Sequence, residues 1–131
     1  MTRILPKVFL FTIIVLIALF GCATTGEIKD GKHEVETTIE PTKVHEDCVD
    51  LSPDQVLDYT FESLRTLDFN IHCHEDNKIS YPVKKDGISS DKGSFQPEKK
   101  QYYCLMWTNS QRETVKLKYY YSVKRRESAK P

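Results

Sequence analysis

The chain holds 131 residues, 39% hydrophobic and 29% charged, and its 19 Lys+Arg balance 19 Asp+Glu to a formal net charge of zero. That length permits one small domain beside a targeting segment and excludes two. The zero hides an asymmetry, since residues 27 to 76 carry 14 acids against 4 bases while residues 77 to 131 carry 5 against 13.

Met1 to Lys7 contains Arg3 and Lys7 and no acid, and Val8 to Phe20 is an apolar run broken only by Thr12. A charged start followed by a short greasy stretch is the layout of a signal peptide, and the run falls short of the roughly 20 residues that span a bilayer. It closes on Leu19-Phe20-Gly21-Cys22, which resembles the lipobox of bacterial lipoproteins: an aliphatic residue at minus three, a small one at minus one, then cysteine, with Phe20 at minus two where a small residue is usual. The resemblance covers residues 1 to 22 only. It implies removal of residues 1–21, acylation of Cys22 with palmitate-type chains, and export. Ala23, in place of an aspartate after the lipidated cysteine, implies by the same resemblance the periplasmic face of the outer membrane. Several acyl chains on one residue hold a protein firmly, since each buried CH₂ contributes about 0.8 kcal/mol. Residues 22–32 then read as a solvated tether, 33–125 as the domain and 126–131 as a basic tail.

With Cys22 committed to lipid, Cys48, Cys73 and Cys104 remain in a compartment where disulfides persist, and three thiols cannot all pair within the chain. Cys48–Cys73 is the favoured bridge, because those residues flank the element between them, with Cys73–Cys104 as the second choice.

Along the domain, a first strand is expected over His33–Ile39 or Thr42–Val49. Ser52-Pro53-Asp54-Gln55 has the form of a capping box with proline at the first helical position. Val56, Leu57, Thr60, Phe61, Leu64 and Leu67 follow at helical spacing, opposite Asp54, Asp58, Glu62 and Arg65, which predicts an amphipathic helix ending near Asp68. Phe69, Ile71 and Cys73 alternate with Asn70, His72 and His74 as a strand does. Glu75-Asp76-Asn77 supplies a turn and Lys78–Val83 a hairpin partner. Residues 84–99, with Gly87, Gly93 and Pro97, read as a long loop. Gln101–Thr108 and Thr114–Lys124 form a second hairpin around Asn109-Ser110-Gln111. One helix and several one-faced antiparallel strands predict an α+β fold, a two-layer sandwich with the helix on a small antiparallel sheet.

Functional signals are sparse. Lys116, Lys118, Tyr120 and Lys124 share one face of the last strand and suggest a partner-binding surface. His72 and His74 share a face and, helped by His45, are the nearest thing to a metal ligand set, but no structural-zinc spacing is present. There is no serine elbow, metal-binding helix or paired carboxylate, so no enzyme and no cofactor are expected. The leading expectation is a non-catalytic envelope lipoprotein acting as a protein-interaction or assembly module, with another envelope protein as partner and the membrane engaged through Cys22. The alternatives are a binding module for an anionic envelope ligand such as lipopolysaccharide or peptidoglycan, or a metal-binding lipoprotein. Export disfavours nucleic acid.

Overall fold

Period-two alternation, not helical spacing, governs residues 55 to 75. In the computed structural model, which describes residues 28–29 and 32–126, Gln55–Glu75 is one 21-residue strand and no helix occurs among the described residues. Leu57, Tyr59, Phe61, Leu67, Phe69, Ile71 and Cys73 are all buried, every one an odd-numbered position, while Leu64 is 78% exposed. The α+β expectation is therefore wrong, and the fold is all-β. The residues that suggested a helix cap make a turn instead: Gln55 N–H donates to Ser52 O at 2.9 Å, and Ser52 N–H donates to Gln55 Oε1 at 2.8 Å. The reciprocal side-chain bond of a capping box is thus present, but Pro53 serves as the second residue of a β-turn, a position its fixed φ suits equally well. Tyr59, Thr60 and Phe61 then favour the pleated surface over a helix.

Seven strands, β1 (Ile28–Lys29), β2 (Lys32–Ile39), β3 (Val44–Leu51), β4 (Gln55–Glu75), β5 (Lys78–Phe95), β6 (Gln101–Thr108) and β7 (Val115–Arg125), make one antiparallel sheet. β1 falls within the stretch whose composition suggested a tether. The long β4 is the spine. Its first half pairs with β7, from Gln55↔Arg125 to Ser63↔Leu117, and its second half with β6, from Asp68↔Thr108 to His72↔Cys104. β2 extends the first wing beside β7, and β3 extends the second beside β6. β5 runs along the opposite edge of β4, with register shifts between Glu62 and Leu67 and again beyond. Residues 84–99 are thus mostly strand rather than loop. β5 is an edge strand held by its ladder to β4, with Phe95 in the core and Val83 and Ile88 packed against it.

At the first register shift, Ser63 to Thr66 face only Ser89 across the ladder, a bulge that bends β4 and curls one wing over the other. The two inner faces meet at Trp107, fully buried, whose ring lies 4.4 Å from Tyr119, 5.3 Å from Phe69 and 5.7 Å from Phe61 between centroids. Each such buried side chain contributes about 1.5–3 kcal/mol relative to exposure. Asn109, also fully buried, pins the turns at one end: its Nδ2 donates to Ile39 O and Glu113 O, both at 2.8 Å, and its Oδ1 accepts from Gln111 N–H. At the other edge Gly93 pairs with Tyr59, whose phenol occupies the space a Cβ would need, and that phenol donates to Asp91 Oδ2 at 2.9 Å. The turn at Glu75-Asp76-Asn77, where Asp76 adopts φ 52°, and the β4–β5 hairpin it joins lie where the sequence put them. The expected second hairpin does not form: β6 and β7 are strands that pair with different halves of β4, which lies between them, and not with each other.

Candidate interaction surfaces

Strand alternation gives each wing an inner face on the core and an outer face turned away from it, on which Asn70, His72 and Cys104 of the second wing are nonetheless buried. Inside, the curl is closed by a polar tie between β3 and the β2–β7 pair. Tyr119 Oη donates to Asp47 Oδ2 at 2.7 Å, so the 2.9 Å contact between His45 Nε2 and Tyr119 Oη requires His45 to donate. His33 Nε2 lies 3.2 Å from the same Asp47 oxygen. Burial, then the Asp47 bond, raises the Tyr119 hydroxyl far above the ordinary tyrosine range; the same causes, burial first, push Tyr121 up to about 12. Burial lowers His45, with the Asp47 charge opposing. A phenol kept protonated and a histidine kept neutral form a structural tie, with no activated nucleophile among them. His45 thus lies on the inner face and cannot join His72 and His74.

The first wing's outer face carries the β7 residues singled out from sequence. Lys116, Lys118, Tyr120 and Lys124 do share it, but it is charge-matched. Lys118 Nζ lies 3.1 Å from Glu34 and Lys124 Nζ 2.8 Å from Asp58, while Lys32 Nζ sits 3.4 Å over the Tyr120 ring. Glu36 and Glu62 flank Lys118 in register. The hydrogen bonds from Lys124 and Ser94 hold Asp58 below the usual carboxylate range, and the Glu34 bond raises Lys118. The acidic and basic halves of the chain are interleaved strand by strand, so this face presents alternating signs rather than a positive field.

The second wing's outer face differs. Register pairs Cys48 with Cys104 directly across β3 and β6, and the two form the disulfide. Both favoured pairings, Cys48–Cys73 and Cys73–Cys104, are overturned: Cys73 is a free, buried thiol on the inner face with Phe69 and Ile71, on the opposite side of the sheet from Cys48 and Cys104. Burial, then the nearby Glu75 charge, pushes its thiol up, which keeps it protonated. Alternation alone already separated Cys73 from its histidine neighbours, but pairing Cys48 with Cys104 needed the β3–β6 adjacency. His72 and His74 do share this outer face, with ring centroids 5.3 Å apart, and Tyr81 lies 5.8 Å from His72. His72 is only 5% exposed, covered by Glu46, Asn70 and Tyr81. Four of the five large apolar side chains exposed among the described residues, Val44, Ile79, Tyr81 and Tyr102, lie on this face; Leu64 on the bend is the fifth. β3 and β5 also leave free sheet edges among the described residues.

No protein-family model and no curated protein sequence matches the chain. Among solved structures, the fold is similar to that of PliG from Aeromonas hydrophila, a periplasmic lysozyme inhibitor of g-type lysozyme, with TM-score 0.58 and 10% identity over 72% of this chain and 87% of that one. A de novo designed double-stranded β-helix aligns at TM-score 0.40 and 12% identity, over 70% of this chain and 99% of the design. Cys22 and the signal segment lie outside the described residues.

Proposed function

We propose that the chain is a non-catalytic bacterial envelope lipoprotein, anchored through Cys22, whose β domain binds another envelope protein through the outer face of the β3–β6–β4–β5 wing. The observation that carries this reading is the gathering of Val44, Ile79, Tyr81 and Tyr102, 48–66% exposed, on one face around a disulfide and a buried histidine. Exposed aromatic residues on a rigid sheet are the material of binding hot spots, combining large contact area with little rotamer entropy. The likeness to PliG supports the same reading, since that protein's role as a lysozyme inhibitor is itself protein binding. The Lys116–Lys124 face is the less suitable surface. Lys118 and Lys124 are engaged with Glu34 and Asp58, and an anionic glycan or lipid headgroup would have to displace those carboxylates.

The test uses the membrane-purified lipoprotein and a panel of lysozymes, g-type included, together with envelope extract. Wild type should retain one protein partner, or inhibit one lysozyme, in a manner little affected by salt. Tyr81→Glu with Tyr102→Glu should abolish that, and Lys116→Glu with Lys118→Glu and Lys124→Glu should leave it intact. The reverse pattern, or binding that collapses with modest salt, would transfer the function to the β7 face.

A further inference from the structure

The surroundings of His72 gather nitrogen, oxygen and sulfur donor atoms at one nearly buried point. His72 Nδ1 lies 2.9 Å from Asn70 Oδ1. An amide oxygen can only accept, so the imidazole proton sits on Nδ1 and the Nε2 lone pair points the other way. There it meets Glu46 Oε1 at 3.3 Å. Cys48 Sγ lies 3.5 Å from that same oxygen, and a disulfide sulfur has no proton to donate. Nitrogen, carboxylate oxygen and sulfur therefore face one another, all electron-rich, beside a histidine that is almost fully buried. The ligand atoms of Glu46, His72 and Cys104 all lie within 4.8 Å of one another.

We propose that Cys48, Cys104, His72 and Glu46 form a redox-gated zinc site. In the oxidised protein the two sulfurs are spent on each other. A dithiol reductant exchanges with the bridge: the Cys48–Cys104 bond breaks, the reductant closes to its own disulfide, and both cysteines leave as thiols. Cys48 is exposed on an edge strand and offers the sulfur an incoming thiolate can reach, whereas Cys104 is 6% exposed. Zinc then displaces the two thiol protons and takes two thiolates, the His72 nitrogen and the Glu46 carboxylate. That is the four-coordinate soft donor set zinc selects. Zinc–ligand bonds of about 2.0–2.3 Å imply tetrahedral edges of roughly 3.3–3.8 Å, so the side chains need only small adjustments from their present spacing. Asn70 completes the site by orienting the ring, the role that outer-shell acceptors play for metal-bound histidines.

The experiment takes the mature lipoprotein, reduced with a dithiol and freed of reductant by anaerobic gel filtration, beside the untreated protein. Zinc stoichiometry is read by native mass spectrometry, and cobalt(II) is added as a spectroscopic stand-in. The reduced protein should hold one zinc per chain and the oxidised protein none through the same column. Cobalt should give the intense thiolate charge-transfer band together with tetrahedral visible bands. His72→Ala should weaken binding at least 100-fold, and Asn70→Ala about 10–100-fold. If reduction alone unfolds the domain, zinc should restore the native circular dichroism, because binding then drives folding. Failure to refold, the absence of a thiolate band, or unchanged affinity in His72→Ala would each overturn the site. The last result would leave a proton shared between His72 and Glu46 as the cation that satisfies the cluster.

Discussion

Leu57 and Leu64 are separated by seven residues, which places them on one stripe of a helix but on opposite faces of a strand. That makes a pair of alanine substitutions a direct test of the architecture. Leu57 is fully buried, in register between Phe95 of β5 and Val123 of β7, whereas Leu64 is 78% exposed on the bend. Removing a packed leucine costs about 2–5 kcal/mol, and this site, enclosed by strands on both sides, should cost about 3 kcal/mol because its walls cannot collapse. For a domain of this size that corresponds to a fall in Tm of roughly 12–24 °C. Leu64→Ala should change stability by less than about 0.5 kcal/mol, since nothing is left unfilled. Urea unfolding of the disulfide-intact protein, monitored by Trp107 fluorescence, measures both changes provided the two variants share the wild-type m-value. Comparable losses at the two positions would restore the amphipathic helix and refute the long β4.

Two further outcomes follow from the tie and the bridge. Replacing Cys48 and Cys104 by serine opens a loop with a sequence separation of 56, which by chain entropy should cost about 4 kcal/mol in urea unfolding. A loss under about 1 kcal/mol would mean that the β3–β6 ladder constrains the unfolded chain without the bridge. Between pH 7 and 5.5, stability should fall. Burial holds His45 below its ordinary value of 6.5, so the unfolded chain takes up the proton first as pH drops through 6.5, and the folded state loses ground until its own lower value is reached. His72 is lowered by burial as well, so His45→Gln, which keeps a donor for Tyr119, should remove part of that slope, as read from urea midpoints across the range; a wild-type profile that is level or rises toward pH 5.5 would contradict the neutral assignment.

Where alternation ran unbroken the sequence was legible. Val115, Leu117 and Tyr119 against Lys116 and Lys118 read as a strand because one face alone is buried, and Phe69, Ile71 and Cys73 against Asn70 and His72 because apolar and polar side chains alternate, although Asn70 and His72 are buried too. The helix was misread for a physical reason. Leu57 and Phe61 are four apart, a spacing that keeps two residues together on a helix and on a strand alike, and Val56, Thr60 and Leu64 completed a false stripe with outward positions of β4. Ser-Pro-Asp-Gln suits a helix start and a β-turn alike: the bond from Ser52 N–H to Gln55 Oε1 belongs to both, while Gln55 N–H donates here to the Ser52 main-chain oxygen, as a β-turn requires. The second part of β5, residues 84–95, left little hydrophobic signature because only Ile88 and Phe95 pack toward the core there and the rest is held by main-chain bonds to β4. The disulfide was hidden because its partners are 56 residues apart and meet only once β3 and β6 are neighbours.

The length of β4 also explains why the two outer faces differ. One strand supplies the core side of both wings, so the inner face is continuous from Leu57 to Cys73. Each outer face, by contrast, takes its character from the strand that β4 happens to border. Beside β7 it joins lysines to the acids of β2 and β4, and a ligand docking there must first break Lys118–Glu34 or Lys124–Asp58 and desolvate the freed charges. Beside β6 it joins Tyr102, Met106 and the disulfide to His72, His74 and Tyr81, where docking removes apolar surface from water and breaks no ion pair between lysine and acid. The bend at Ser63–Thr66 therefore partitions the molecule into a wing whose polar surface is already satisfied and a wing whose surface is not, and a protein partner gains more from covering the second.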